Sequence, residues 1–244
     1  MTSSSLPPRA RSLGERAWPE LAEREASPVV VLPVGSTEQH GPHLPLDTDT
    51  RIAVAVAERV AAALAERGGA TLVAPAVAYG SSGEHEGFPG TVSIGRDALA
   101  TLLLEYGRSA SAWASRLVIV NGHGGNVEPV RDAVMRLRDE GRDAAWAPCA
   151  AAPADGLPAD AHAGRAETSL LLHLAPGLVR GDAAEAGETA PLARILPGLR
   201  EHGVRGVSPN GVLGDPSGAS AEEGARLLDA IVHSALARLT GDVS

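Results

Sequence analysis

The chain has 244 residues, 44% of them hydrophobic and 21% charged, and carries a formal net charge of -9. This is the composition of a globular protein, and an acidic balance without a basic patch argues against nucleic acid or an anionic membrane surface as a partner. Apart from histidine every basic side chain is arginine, so no lysine can serve as Schiff-base former or general base.

In chain order, residues 1–12 carry Ser, Pro and Arg and read as a disordered N-terminal arm. Residues 15–25 could form a short helix. Val29–Val34 is an unbroken apolar run and reads as a buried strand. Residues 49–67 place Ile52, Val56, Val60 and Leu64 at helical spacing, and Gly68-Gly69 stops them. A strand follows at 71–75, then a Gly/Ser-rich loop at 78–95 and a helix at 96–114. A third strand is expected at 116–120, a helix within 125–140, and a fourth strand at 143–147. Arg165–Leu174 reads as a helix, 175–218 as irregular and rich in Gly and Pro, and 219–239 as a closing amphipathic helix. The strand–helix alternation predicts an α/β fold, a mostly parallel sheet with helices on both faces. Nothing splits the chain, so 13–244 reads as a single domain whose long loops are functional.

The single cysteine, Cys149, excludes an intrachain disulfide and fits a reducing cytoplasm. Among small apolar neighbours it reads as structural rather than nucleophilic. No apolar stretch approaches the ~20 residues that span a bilayer. The first residues lack the apolar core of a signal peptide, so a cytoplasmic location is expected.

Four constellations carry chemistry. Glu38-Gln39-His40-Gly41-Pro42-His43-Leu44-Pro45-Leu46-Asp47-Thr48-Asp49 follows the first strand closely. Ligands in α/β sheets collect at the carboxyl ends of strands, so Glu38, His40 and Asp49 fall where a metal site would be built. Such a mixed donor set suits Zn²⁺, Fe²⁺ or Mn²⁺; the plainer reading is a polar turn and helix cap. Asn121-Gly122-His123-Gly124-Gly125-Asn126 follows the third strand. It lacks both G-x-G-x-x-G spacing and a Lys-Ser/Thr pair, which excludes a P-loop and leaves His123 as a candidate ligand. In Asp160-Ala161-His162-Ala163-Gly164-Arg165-Ala166-Glu167, Glu167 falls in a first helical turn. It is either stabilised by the helix N-terminus or a further ligand, with His162 a proton donor to the same site. In Gly83-Glu84-His85-Glu86-Gly87-Phe88-Pro89-Gly90-Thr91, Phe88 would wall a substrate pocket. His85 either contacts substrate or is an ordinary loop histidine.

Together these motifs resemble the creatininase (creatinine amidohydrolase) family. The likeness rests on Gly35-Ser36-Thr37-Glu38-Gln39-His40-Gly41-Pro42-His43, on Asn121-Gly122-His123 and on His162-Ala163-Gly164 through Glu167-Thr168, and runs from Leu13 to Leu239. Within the family, Pro45-Leu46-Asp47-Thr48-Asp49-Thr50-Arg51, the 80–91 loop and Ser208-Pro209-Asn210-Gly211-Val212-Leu213-Gly214-Asp215-Pro216 resemble the branch of mycofactocin-system peptidases.

The resemblance implies a three-layer α/β/α fold holding two divalent metal ions per subunit. By motif position Glu38 and His123 would bind one ion and His40 the other, with Asp49 bridging. His162 matches the family's catalytic histidine, acting as general acid towards the leaving amine. Creatininase has a glutamate two residues after the Asn-Gly-His histidine, where this chain has Gly125; Glu167 is the candidate to replace it. Ser36 and Thr37 read as turn residues or as groups that orient ligands through hydrogen bonds, and Asp47 could do the same. Paired ions of this kind lower the pKa of a shared water towards ~7, giving hydrolysis of a C–N amide bond without a side-chain nucleophile. The implied substrate is a modified precursor peptide, cut near its C-terminus to release a Val-Tyr-derived core in mycofactocin biosynthesis. The alternative is a small-molecule amidohydrolase acting on creatinine-like or formamide-like substrates. The complete ligand set argues against an inactive scaffold, and the family implies a closed homo-oligomer.

Overall fold

The computed structural model describes residues 12–23, 26–151 and 160–241. Residues 1–11 of the expected arm lie outside the described residues, while Ser12 forms a parallel bridge to Val73. The elements in chain order are α1 (Trp18–Ala22), β1 (Val29–Val34), α2 (Thr48–Glu66), β2 (Thr71–Val73), α3 (Arg96–Ala110), β3 (Arg116–Asn121), α4 (Val127–Asp139), β4 (Ala144–Pro148), α5 (Arg165–Leu174), α6 (Leu192–Val207) and α7 (Ala221–Thr240). The helix expected at 15–25 is thus confined to α1, preceded by the 3-10 turn Leu13–Glu15.

The four strands form one sheet in the order β2-β1-β3-β4, and every pair is parallel. The two central strands run in register from Val29↔Arg116 to Val34↔Asn121. A parallel sheet is covered on both faces, which is why these strands are apolar throughout. Successive side chains alternate between the layers. Val30, Leu32 and Val34 pack with Leu99 and Leu103 of α3 and with Val130, Val134 and Leu137 of α4. Val31, Val118 and Val120 pack on the other face with Ile52, Val56 and Val60 of α2, Leu170 and Leu171 of α5, and Leu227 and Leu228 of α7. Three layers result, as the resemblance implies. Cys149 packs against this second core, and burial pushes its thiol well above the ordinary range. That is the environment of an inert structural cysteine.

One expectation fails. Segment 175–218 is not irregular throughout, since it contains α6 with Pro197 inside it. Proline and glycine read as helix breakers, yet Ile195 and Val204 are buried with Leu213 in a separate small cluster that Phe88 packs against. Burial of that stripe outweighs the weak local propensity. The helix kinks at Gly203, whose φ is +67°.

The fold brings several chain segments to one place. β1 and β3 end side by side at Val34 and Asn121, and the N-terminus of α2 returns beside them. Gly122 permits this approach, because a Cβ there would lie 2.5 Å from the carbonyl oxygen of Asp49.

Candidate metal centre

Glu38 lies just beyond β1, and its N–H is tied to the Leu46 carbonyl at 3.0 Å. Asp49 occupies the first turn of α2, where its Oδ2 accepts from Ser36 Oγ at 2.5 Å. His123 follows β3. These three meet, with His123 Nδ1 at 3.2 Å from Glu38 Oε1 and 3.3 Å from Asp49 Oδ2. The other oxygen of Asp49 faces His40 Nε2 at 3.1 Å. Glu167, in the first turn of α5, brings its Oε2 to 3.9 Å from the same nitrogen. Ala163 precedes α5 in a left-handed conformation (φ 52°), and its N–H donates to Glu167 Oε2 at 2.6 Å. That strained turn lies between the two polar residues His162 and Glu167 and holds the carboxylate in place.

The backbone determines which ring nitrogens carry protons. His40 Nδ1 lies 3.1 Å from the Glu38 carbonyl, and His123 Nε2 lies 3.1 Å from the Ser81 carbonyl. A carbonyl only accepts, so both outer nitrogens are N–H donors. Each inner nitrogen is then the one that faces carboxylate oxygens, an arrangement that calls for a cation between them, either a proton on the ring or a metal ion bound to its lone pair. Both oxygens of Glu38 are buried without a hydrogen-bond partner among the described residues. A buried carboxylate left in this state is costly unless it binds a charge. The donor set and its backbone-anchored imidazoles fit divalent ions.

The electrostatics agree. Burial opposes charge on His40, but the Asp49 carboxylate holds its pKa up at about 10. Burial likewise opposes charge on His123, yet Glu38 and Asp49 drive it well above its ordinary value. Burial would raise Glu38, but His123 brings it down to about 2. Glu167 is pushed up to about 7, chiefly by burial. His162 differs from the other two rings: burial, then His40 and His85, hold it well below its ordinary range. Among the described residues, three groups could hold an ion, with one donor atom from each member lying within 4.8 Å of the others: Glu38, His40 and Asp49; His40, His162 and Glu167; and Glu38, His85 and His162.

All of Glu38, His40, Asp49, His123, His162 and Glu167 are thus gathered, and His85 joins them. Its ring centroid lies 4.4 Å from that of His162, and its Nε2 is 3.3 Å from Glu38 Oε1. Phe88 is not in the cluster. Its ring packs against Ile195, Val204 and Leu213, with the Arg205 guanidinium 5.8 Å from its centroid. Arg205 also donates to the Gly87 carbonyl at 2.7 Å. Asp47 corrects an expectation: among the described residues its carboxylate pairs with Arg51 at 2.8 Å on the surface, as i,i+4 neighbours on a helix do, and not with a candidate ligand. Thr37 takes the turn role, tying its loop to the Ala78 carbonyl at 2.8 Å.

Two residues of the site were not anticipated. Gln39 is buried, and its side-chain amide contacts both His85 and His162. Glu84 brings its Oε1 to 3.5 Å from His123 Nε2. Gly125 offers the one sequence signal for Glu84. A Cβ at that position would lie 2.3 Å from the Ser81 carbonyl oxygen, 2.5 Å from His123 Nε2 and 2.7 Å from Glu84 Oε1. The space is already filled.

The chain is 59% identical over 213 residues to the mycofactocin precursor peptide peptidase of Mycolicibacterium smegmatis, covering 87% of this chain and 84% of that one. It is 53% identical over 242 residues to the protein of the same name from Mycobacterium ulcerans, covering 97% and 95%. Among solved structures, a mutant creatininase complexed with creatine superposes with a TM-score of 0.75 at 30% identity, covering 96% of this chain and 98% of that one. A manganese creatininase gives a TM-score of 0.72 at 28% identity, covering 92% and 95%. A family model described as creatinine amidohydrolase matches residues 14–239. By this match and by its relatives, the chain belongs to the creatininase family.

Proposed function

We propose that this protein is a dinuclear metal-dependent peptidase that cuts a modified precursor peptide near its C-terminus in mycofactocin biosynthesis. The observation that carries the metal reading is Asp49, which turns one oxygen to each of two imidazoles whose outer nitrogens are held by backbone carbonyls. The substrate is inferred from the relatives that share 53% to 59% of its residues.

In this reading Glu38 and His123 would hold one ion and His40 and Glu167 the other, with Asp49 available to both. Glu167 is preferred to Glu84 as the replacement for the glutamate missing at Gly125, because Glu167 stands on the His40 side of Asp49 while Glu84 stands behind His123. The ions, Zn²⁺, Fe²⁺ or Mn²⁺, would acidify a water and polarise the scissile carbonyl. Ser36 keeps Asp49 oriented through its hydroxyl. His162 supplies the proton that the leaving amine requires, a task suited to an imidazole near neutral pH. His85 faces the substrate, and Phe88, braced by α6, walls its approach. A homo-oligomer belongs to this reading on the family likeness alone. Among the described residues no helix is long and apolar enough to cross a membrane, and the half-buried free thiol suits a cytoplasmic setting.

The test is incubation of the modified precursor peptide with purified protein, with and without added Fe²⁺ or Zn²⁺, followed by mass spectrometry. Metal-dependent release of a C-terminal fragment is expected. An intact peptide beside metal-loaded protein would overturn the substrate and turn the search to formamides and cyclic amides.

A further inference from the structure

The side-chain amide of Gln39 is anchored by main chain at both ends. Its Oε1 accepts from the Gly41 N–H at 2.9 Å, and its Nε2 donates to the Gly211 carbonyl at 3.0 Å. Neither partner can reverse its role, so the amide has one orientation. The same Nε2 stands 2.9 Å from His85 Nδ1 and 3.0 Å from His162 Nε2. The amide group has two protons, and Gly211 takes one of them.

The second proton has a single destination. His162 Nε2 also lies 2.8 Å from the main-chain carbonyl of Gln39. That oxygen can only accept, so His162 carries a proton on Nε2 and cannot receive another there. The amide proton goes to His85 Nδ1, which must therefore be bare. His85 then bears its own proton on Nε2, which faces Glu38 Oε1 at 3.3 Å. His162 turns its bare Nδ1 to the same oxygen at 3.8 Å.

We infer that Gln39 is a positioning residue that holds two histidines in the same Nε2-protonated tautomer but turned opposite ways round, so that His162 offers the reaction a proton acceptor at Nδ1 and His85 a proton donor at Nε2. His162 is set by the main-chain carbonyl of Gln39, His85 by its side chain. The group Glu38, His85 and His162 is then not a metal site, because the His85 nitrogen that faces it is protonated and has no free lone pair. This assignment rests on the amide-hydrolysis reading above. As water adds to the amide carbon, one of its protons passes to His162 Nδ1. As the C–N bond breaks, that proton passes to the amine nitrogen. The Nε2 proton stays on the Gln39 carbonyl throughout and shares the positive charge while His162 is doubly protonated. His85 Nε2–H meanwhile donates to the carbonyl oxygen as negative charge develops on it.

The test is long-range proton–nitrogen NMR of the full chain labelled in histidine, in the zinc-loaded and the chelator-treated protein. His85 and His162 should both show a protonated Nε2 and a bare Nδ1. In Gln39→Glu the carboxylate cannot donate, so the His85 proton should move to Nδ1 while His162 stays unchanged. Zinc content should hold, and kcat should fall about 10²-fold, as for loss of an oxyanion donor, with KM little affected. A wild-type His85 protonated on Nδ1, or one bonded to zinc, would overturn the inference, and neither observation depends on the variant folding. If the tautomers are as assigned and the precursor peptide stays intact, the substrate reading fails and the proton assignment stands.

Discussion

Gly125→Ala isolates the effect of space at the candidate centre. Gly125 does not sit in the left-handed region, so alanine brings no backbone strain, only a methyl group. That methyl would meet three atoms inside 3.0 Å, namely the Ser81 carbonyl oxygen at 2.3 Å, His123 Nε2 at 2.5 Å and Glu84 Oε1 at 2.7 Å. The Glu84 tip can swing aside. The Ser81 carbonyl cannot, because it is backbone and accepts the His123 Nε2–H. Overpacking of this kind costs about 1–3 kcal/mol. At about 2–4 °C per kcal/mol for a chain of this size, Tm should fall by about 2–12 °C. Displacing the carbonyl that orients His123 should also weaken metal binding about 10–100-fold. Scanning calorimetry of chelator-treated protein reads the first effect, and metal analysis after equilibration with limiting Zn²⁺ reads the second. Adding Glu84→Ala should recover only a small part of either. An unchanged Tm together with full metal content would mean that the space beside Gly125 can take a methyl group without cost. Gly125→Glu meets the same obstruction, so restoring the creatininase glutamate should damage this centre instead of converting it.

Three further outcomes are expected. Asp49→Ala should remove metal and activity together, whereas His162→Ala should keep its metal, measured by elemental analysis, and lose about 10²–10⁴-fold in kcat. Metal binding should release protons near neutral pH. His40 is raised from 6.5 to about 10 and His123 well above 6.5, so both rings are charged in the metal-free protein and must become neutral to ligate. Apparent affinity should therefore rise with pH until about pH 10 and fall as pH drops; calorimetry in buffers of different ionisation enthalpy would show no proton release if this is wrong. Gly203→Ala forces a φ of +67° on a side chain whose Cβ would lie 2.9 Å from the Glu84 carbonyl. It should lower stability by about 1–2 kcal/mol, read by denaturant titration, with metal content preserved.

The sheet and its flanking helices were legible because each apolar run has a single period. Val29–Val34 is continuous and long enough for a buried strand, while Ile52, Val56, Val60 and Leu64 keep helical spacing. Helix α6 was hidden because Pro197, Gly198, Gly203 and Gly206 interrupt its pattern, while contacts outside the helix, with Phe88, Gly87 and Leu213, help to hold it. The carboxylate and imidazole residues could be read from their types and from their place after strands. The roles of Gln39 and Asp47 could not. Gln39 reaches partners 46, 123 and 172 residues away, separations over which a local motif carries no information. Asp47 shares a motif with Asp49, yet on a helix residues two apart point to different sides, and Asp47 pairs outward with Arg51.

The residues of this centre are widely separated along the chain, and this shapes how the protein comes into being. Glu38 and Asp49 are made early, but His123 reaches them only once β3 has docked beside β1, and His162 and Glu167 only after β4 and α5 have followed. During synthesis, which proceeds from the N-terminus, an emerging chain holds two acidic side chains and His40 close together well before their later partners exist. The complete centre is therefore a late product of folding, and a chain that has stalled or been cut before α5 has no such centre. Loading with metal would then report that the chain has been made and folded at least as far as α5.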